Sequence, residues 1–125
     1  MIQITSEQMA RMGWLAFEAR LVGLVRECYP EQCASLGNDQ MRAAIRPQMA
    51  RARRHGLTDE RSMATFVNAA WLLGENFDER IPALAQVLAA PALSSADKAR
   101  AIDDFQRSVF HALADAPQSA PRRSA

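Results

Sequence analysis

Residues 51–78, RARRHGLTDERSMATFVNAAWLLGENFD, decide how the chain is built. Arg51, Arg53 and Arg54 are the cationic end of a helix, where positive side chains complement the negative end of the helix dipole. Gly56 supplies a left-handed stop, and Leu57 is the apolar residue that follows it in a Schellman ending. Thr58 reads as the cap of the next helix, with Asp59 and Glu60 placed near its positive end. Met63, Phe66, Val67, Ala70 and Leu73 then recur at spacings of three and four, which is one helical face. Gly74 stops this helix, and an acidic loop over residues 75–81 follows, anchored by Phe77.

The same reading extends toward both termini. Thr5 and Gln8 have the spacing of a capping box. Trp14, Phe17, Leu21, Leu24, Val25 and Cys28 form one face, widened by Leu15, Val22 and Tyr29, which predicts a central helix touching several neighbours. Pro30 ends it, because a proline cannot donate a backbone hydrogen bond and biases the preceding residue away from helical geometry. Residues 30–37 read as a connection or short turn closed by Gly37, after which Asn38 or Asp39 caps a second helix. Its inner face is Met41, Ile45, Met49 and Ala52. Pro47 inside it predicts a kink, with two shorter helices as the competing reading. Pro82 suits the first position of a short fourth helix carrying Leu84, Val87 and Leu88, and Pro91 ends it. Ser94 or Ser95 caps the last helix, whose inner positions are Ile102, Phe105, Val109 and Leu113. After Ala116 the chain reads PQSAPRRSA, which predicts a disordered tail. No strand-like alternation occurs, so the expected fold is all-α: a bundle of about five helices over residues 1–115, one domain, with a tail over 116–125.

Composition agrees with that class. In a chain of 125 residues, 49% hydrophobic and only 6% aromatic, the core must be mainly aliphatic, which favours helix over sheet. The net charge of +1 carries no global polyelectrolyte signal. No apolar run approaches the ~18 residues of a membrane span, and the N-terminus lacks a basic-then-apolar export plan, so a cytoplasmic location is expected. Cys28 and Cys33, spaced C-x4-C with no second pair, do not match a zinc pattern and read as two buried reduced thiols.

The strongest charge pattern is arginine. Arg42, Arg46, Arg51, Arg53 and Arg54 occur with no acid between them. At 100° per residue, Arg42, Arg46 and Arg53 share a stripe expected on the outer side of the second helix. Such a stripe fits an acidic partner or another anion, or it is a plain solvated face. A helix-turn-helix around Gly56 is opposed by Ser62 and Thr65 at positions that should be apolar, and by carboxylates where phosphates would approach. His55, near a helix end, is expected to satisfy terminal carbonyls or the helix dipole; His111 is expected to be partly packed. Neither belongs to a metal-ligand or nucleophile pattern, so no enzyme activity, metal or cofactor is expected. Trp71 and Phe77 lie where an extra contact surface is conceivable. Arg42, Arg46, Arg53, Arg54, Trp71, Phe77 and Asp78 are therefore the candidate partner-binding residues.

The run Ala52-Arg53-Arg54-His55-Gly56-Leu57-Thr58-Asp59-Glu60, followed by Leu73-Gly74-Glu75-Asn76-Phe77-Asp78, resembles small all-helical accessory proteins of bacterial type VI secretion effector clusters. So does the wider plan, with its Tyr29-Pro30-Glu31 break and the path from Leu88 through Pro91-Ala92-Leu93-Ser94 to Asp97-Lys98. The likeness covers residues 5–100 and departs from the pattern at Pro47 and His55. It implies a cytoplasmic co-chaperone that binds an adaptor chaperone or an effector before loading. The alternatives are an immunity protein that neutralises a toxin and, in a different class, a nucleic-acid-binding regulator. No catalytic residues come with the resemblance, and neither nucleic acid nor a membrane is an expected partner.

Overall fold

Seven helices and no strand make up residues 6–115, the part of the chain described by the computed structural model. They are α1 (Ser6–Cys28), α2 (Pro30–Cys33), α3 (Asn38–Arg54), α4 (Glu60–Leu73), α5 (Phe77–Arg80), α6 (Pro82–Ala89) and α7 (Ser95–Asp115). The all-α class is as expected, but the helix number is seven rather than five. The two additions, α2 and α5, are single turns of 4 residues inside segments read as connections. Pro30 does end α1, but it then opens α2, where its missing N–H is not needed. Arg26 closes that turn from α1, donating to the carbonyls of Cys33 (3.2 Å) and Leu36 (2.7 Å) and to Asn38 Oδ1 (3.0 Å). These contacts satisfy carbonyls that a one-turn helix leaves open. The proposed capping residue Thr5 and the tail 116–125 lie outside the described residues.

The helix ends show which local signals were read correctly. At the α3–α4 corner, Gly56 has φ +88°. Gly56 N donates to Arg53 O (3.0 Å) and Leu57 N to Ala52 O (2.9 Å), which is a Schellman pair. Gly74, at φ 113° and ψ 153°, occupies a region open only to glycine. The caps moved by one residue. Asp59, not Thr58, caps α4: its Oδ2 accepts from Ser62 N at 3.0 Å. A carboxylate with extended backbone geometry is the better acceptor there. Gly37 rather than Asn38 or Asp39 precedes α3, and its N–H donates to Gln40 Oε1 at 2.9 Å. Ser94 and Asp97 cap α7 reciprocally, at 3.1 and 3.3 Å. Helix α3 runs unbroken through Pro47, because Ala43 and Pro47 both face outward and water can serve the carbonyl that the proline leaves free.

Helix α4, rather than α1, is the hub; it packs against α1, α3, α5 and α7. Ser62, Met63, Phe66, Val67, Ala69 and Ala70 are all buried on it, more than one stripe can supply. Direction follows from side-chain pairs: Trp14 meets Arg53, Glu18 meets Arg46, and Arg26 meets Asn38, so α1 and α3 are antiparallel. Helix α1 has 23 residues and α7 has 21, against 14 for α4. At about 1.5 Å per residue, both long helices outrun their hub. Met12, Leu15, Phe110 and Leu113 are exposed accordingly. Cys28 is exposed and only Cys33 is buried, contrary to the expectation of two buried thiols; both are free. Among the described residues no helix is long and apolar enough to cross a membrane.

Candidate functional site

Two buried carboxylates organise the polar interior, one on each side of α3. Asp78 is 4% exposed. Its Oδ2 lies 2.8 Å from His55 Nε2, and its Oδ1 lies 3.6 Å from Arg51 Nη1. Arg51 also pairs with Glu79 at 3.6 Å and donates to the carbonyl of Glu75. The His55 ring rests on Phe66, 5.8 Å between centroids, and Phe66 in turn meets Phe77 at 4.8 Å. His55 is thus a partner of Asp78, not of terminal carbonyls. That work falls to Lys98, which reaches from α7 to His55 O at 2.7 Å. This cluster fastens α3, α5 and α7 together. Phe77 and Asp78, both named as candidate partner-binding residues, are spent inside it and are too buried for a partner to cover. No hydroxyl or thiol hydrogen-bonds to the His55 ring among the described residues, and His111 is exposed rather than packed.

The second carboxylate is Glu18 of α1, 2% exposed. Arg46 grips it with two bonds, Nε to Oε2 at 2.8 Å and Nη2 to Oε1 at 3.0 Å. Arg42 approaches at 3.4 Å. The hydrogen bond from Arg46 to Glu18 raises the guanidinium's pKa above its ordinary value. Arg53 lies one turn or more further along α3, its guanidinium 4.4 Å from the Trp14 ring centroid. Arg46 and Arg53 of the arginine stripe are exposed, as its spacing predicts, yet the stripe is not a plain solvated face. It forms the seam against α1, and Glu18 is the reason: a buried carboxylate needs cations, and α3 supplies them.

Below that pair the seam opens into a cleft of about 530 Å³, inside the range of roughly 300–1,000 Å³ seen for binding clefts. Its floor is apolar, made by Trp14, Leu15, Met49 and Ala50. Arg46, Arg53 and Arg54, all exposed, stand on its rim, and Glu18 also lines it. Three of the seven candidate residues are thus gathered here, and Arg42 stands just beyond. Neither Arg53 nor Arg54 has a carboxylate partner among the described residues. Stacking on Trp14 holds the Arg53 guanidinium in place, which lowers the cost of ordering it when an anion arrives.

Trp71 lies elsewhere, on a hollow of about 270 Å³ that also involves Gln32, Gln48 and Gly74. A third, smaller groove of about 150 Å³ runs between Leu72 of α4 and Phe110 and Leu113 of α7. It bears no charge. At the opposite corner, Ser95 Oγ donates to Asp59, which also accepts from Ser62 N–H; these bonds hold the Asp59 carboxyl down at about 2. Arg20 pairs with Glu60 beside it. The start of α4 is therefore already saturated, and Ser62 is buried against the body. Among the described residues no group of three His, Cys, Asp or Glu side chains is arranged to hold a metal ion.

Comparison with known proteins returns no match: no family model, no curated protein and no solved structure is recognisably similar to the chain. The geometry alone singles out the α1–α3 cleft. Glu18 is the residue that sequence reading missed. Its signal was present: it lies four residues after Trp14 and three before Leu21, inside the apolar stripe, opposite an arginine run that contains no acid.

Proposed function

We propose that the protein is a non-enzymatic, protein-binding accessory factor, a co-chaperone that engages an adaptor chaperone or an effector for type VI secretion. The observation that carries this reading is the α1–α3 cleft, an apolar floor with arginines on its rim and, among the described residues, no nucleophile or metal-ligand set beside it. An open trough with unpaired cations suits a side chain or helix from another protein better than a buried small substrate. The assignment to secretion clusters rests on the resemblance of residues 52–60 and 73–78.

A nucleic-acid role has less support. Arg42 and Arg46 are committed to Glu18, and the second helix of the corner presents Asp59 and Glu60. Phosphate contacts need free cations along one surface.

The test is co-precipitation of the tagged full chain from cells that express the neighbouring effector-cluster genes, and from cells that lack them. An adaptor chaperone or effector from the cluster is expected in the first case. If none of those products associates stably, the co-chaperone reading is wrong.

A further inference from the structure

The cleft also specifies the chemistry of its occupant. We infer that it receives an acidic amphipathic helix of a partner protein, with aliphatic side chains on Trp14, Leu15 and Met49 and carboxylates on Arg53 and Arg54. This inference rests on the proposed protein-binding role and narrows it to one kind of ligand.

Three observations lead there. The first is shape. The walls are two antiparallel helices, α1 and α3, and the space between two helices accepts the side-chain ridge of a third. Strand addition by an extended peptide would need an open sheet edge, and the described residues contain no strand. The second is the apolar surface left uncovered. Leu15 is 48% exposed, and Met12, one turn before it on α1, is 57% exposed. Trp14 is half-buried, so the floor continues outward onto a face that α4 is too short to cover.

The third observation is charge, and it selects the sign of the partner. Three arginines line the cleft against one carboxylate, and Arg46 already neutralises that carboxylate. Arg53 and Arg54 have no carboxylate partner among the described residues. A helix C-terminus ordinarily repels anions, and both arginines sit at the end of α3. Here that end is largely satisfied: the bonds at the corner engage the carbonyls of Arg51, Ala52 and Arg53, and Lys98 covers the carbonyl of His55. A carboxylate approaching Arg53 and Arg54 therefore meets guanidinium groups rather than bare carbonyl oxygens. The Arg53 guanidinium, already stacked on Trp14, is pre-set for that contact.

The experiment is a selection. Sixteen-residue helical peptides are displayed with leucines fixed at i, i+3, i+4 and i+7 and with flanking positions free to be Glu, Lys, Gln or Ser. They are panned against the full chain and against its R53E/R54E variant. The native chain should enrich Glu at the flanks, and the best peptide should bind at least about tenfold more tightly than its Glu-to-Lys counterpart. The variant should enrich Lys instead. Neutral or basic consensus sequences, no enrichment, or an acidic preference that survives R53E/R54E would each overturn the inference. So would a homodimer in sedimentation that R53E/R54E dissociates, since the cleft would then belong to a second copy of this chain. A cluster protein that co-precipitates equally with native chain and variant defeats the acidic-helix inference and leaves the accessory role standing. Absence of any cluster partner defeats the accessory role itself.

Discussion

Glu18 and Asp78 are buried to nearly the same degree, yet they flank α3 in opposite ways. Asp78 is enclosed by groups that are themselves half-buried, His55 and Arg51, and every contact it makes is internal. Glu18 is held by Arg46, whose side chain is 58% exposed, and so it sits at the mouth of the seam. A buried charge whose partner is also enclosed is a structural fastening, because losing either member strands the other away from water. A buried charge whose partners reach solvent costs less to lose, and it leaves its neighbourhood free for binding. The contrast separates the side of α3 that holds the fold together from the side that remains open.

The largest expected effect tests that separation directly. Asp78→Ala should destabilise the chain by about 3 kcal/mol, read from the denaturant midpoint. That is the lower end for a broken buried pair, because Arg51 keeps Glu79 and the Glu75 carbonyl. Glu18→Ala should cost less than half as much, because Arg42 and Arg46 can turn to water. Equal losses would abolish the distinction between the two sides.

Next in size is the corner that joins α3 to α4. Gly56→Ala places a Cβ at φ +88°, a conformation that costs an L-residue roughly 1–2 kcal/mol. The new Cβ would also lie 3.3 Å from Lys98 Nζ, the donor that covers the carbonyl of His55. The flexible end of a lysine gives way easily, so backbone strain should dominate. A loss near zero would mean that the corner relaxes and does not hold the interior cluster in register.

Asp59→Ala removes the cap of α4 and should cost about 1 kcal/mol at neutral pH. The sign of its pH dependence follows from the cause. Hydrogen bonds from Ser95 and from the Ser62 N–H lower the Asp59 pKa to about 2, from 3.8. A carboxyl depressed on folding contributes fully above its unfolded value, near 4, and that contribution fades as pH falls through about 2. Chemical denaturation at pH 7 and near pH 2 should therefore show the gap between native and Asp59→Ala chains closing in acid. A gap that stays constant would show that the cap works through its shape rather than its charge.

How much of this was legible beforehand differs from one feature to the next. Local punctuation was readable: Gly56 with Leu57, Gly74, and the prolines that open or close helices act through their own backbone geometry. The inner faces of the second and third helices were readable too, since Met41, Ile45, Met49 and Ala52, then Met63, Phe66, Val67 and Ala70, are buried; Leu73 is only partly so. What failed was every inference that needed a partner from a distant part of the chain. The arginine stripe reads as a partner-binding or a solvated face, and its internal partner escapes that reading because Glu18 lies 28 residues from Arg46. His55 reads as serving nearby carbonyls or the helix dipole because Asp78 and Lys98 come from other helices. Helical periodicity shows which residues share a side, not what that side meets.

The smallest expected effect on stability is the most informative about function. Arg53 and Arg54 are exposed at the cleft rim, and the only described contact between them is Arg53 on Trp14. A cation–π contact at an exposed site is worth about 0.5–1 kcal/mol. Arg53→Ala should lose no more than that, and Arg54→Ala should fall within about 0.5 kcal/mol of the native chain. Residues kept in such positions for the fold would cost more to remove. If thermal melts place both variants close to native while binding of an acidic peptide falls at least about tenfold, the rim contributes to recognition and not to folding. If either single variant instead destabilises the chain as much as Asp78→Ala, the two sides of α3 do not differ, and the cleft is one more fastening of the bundle.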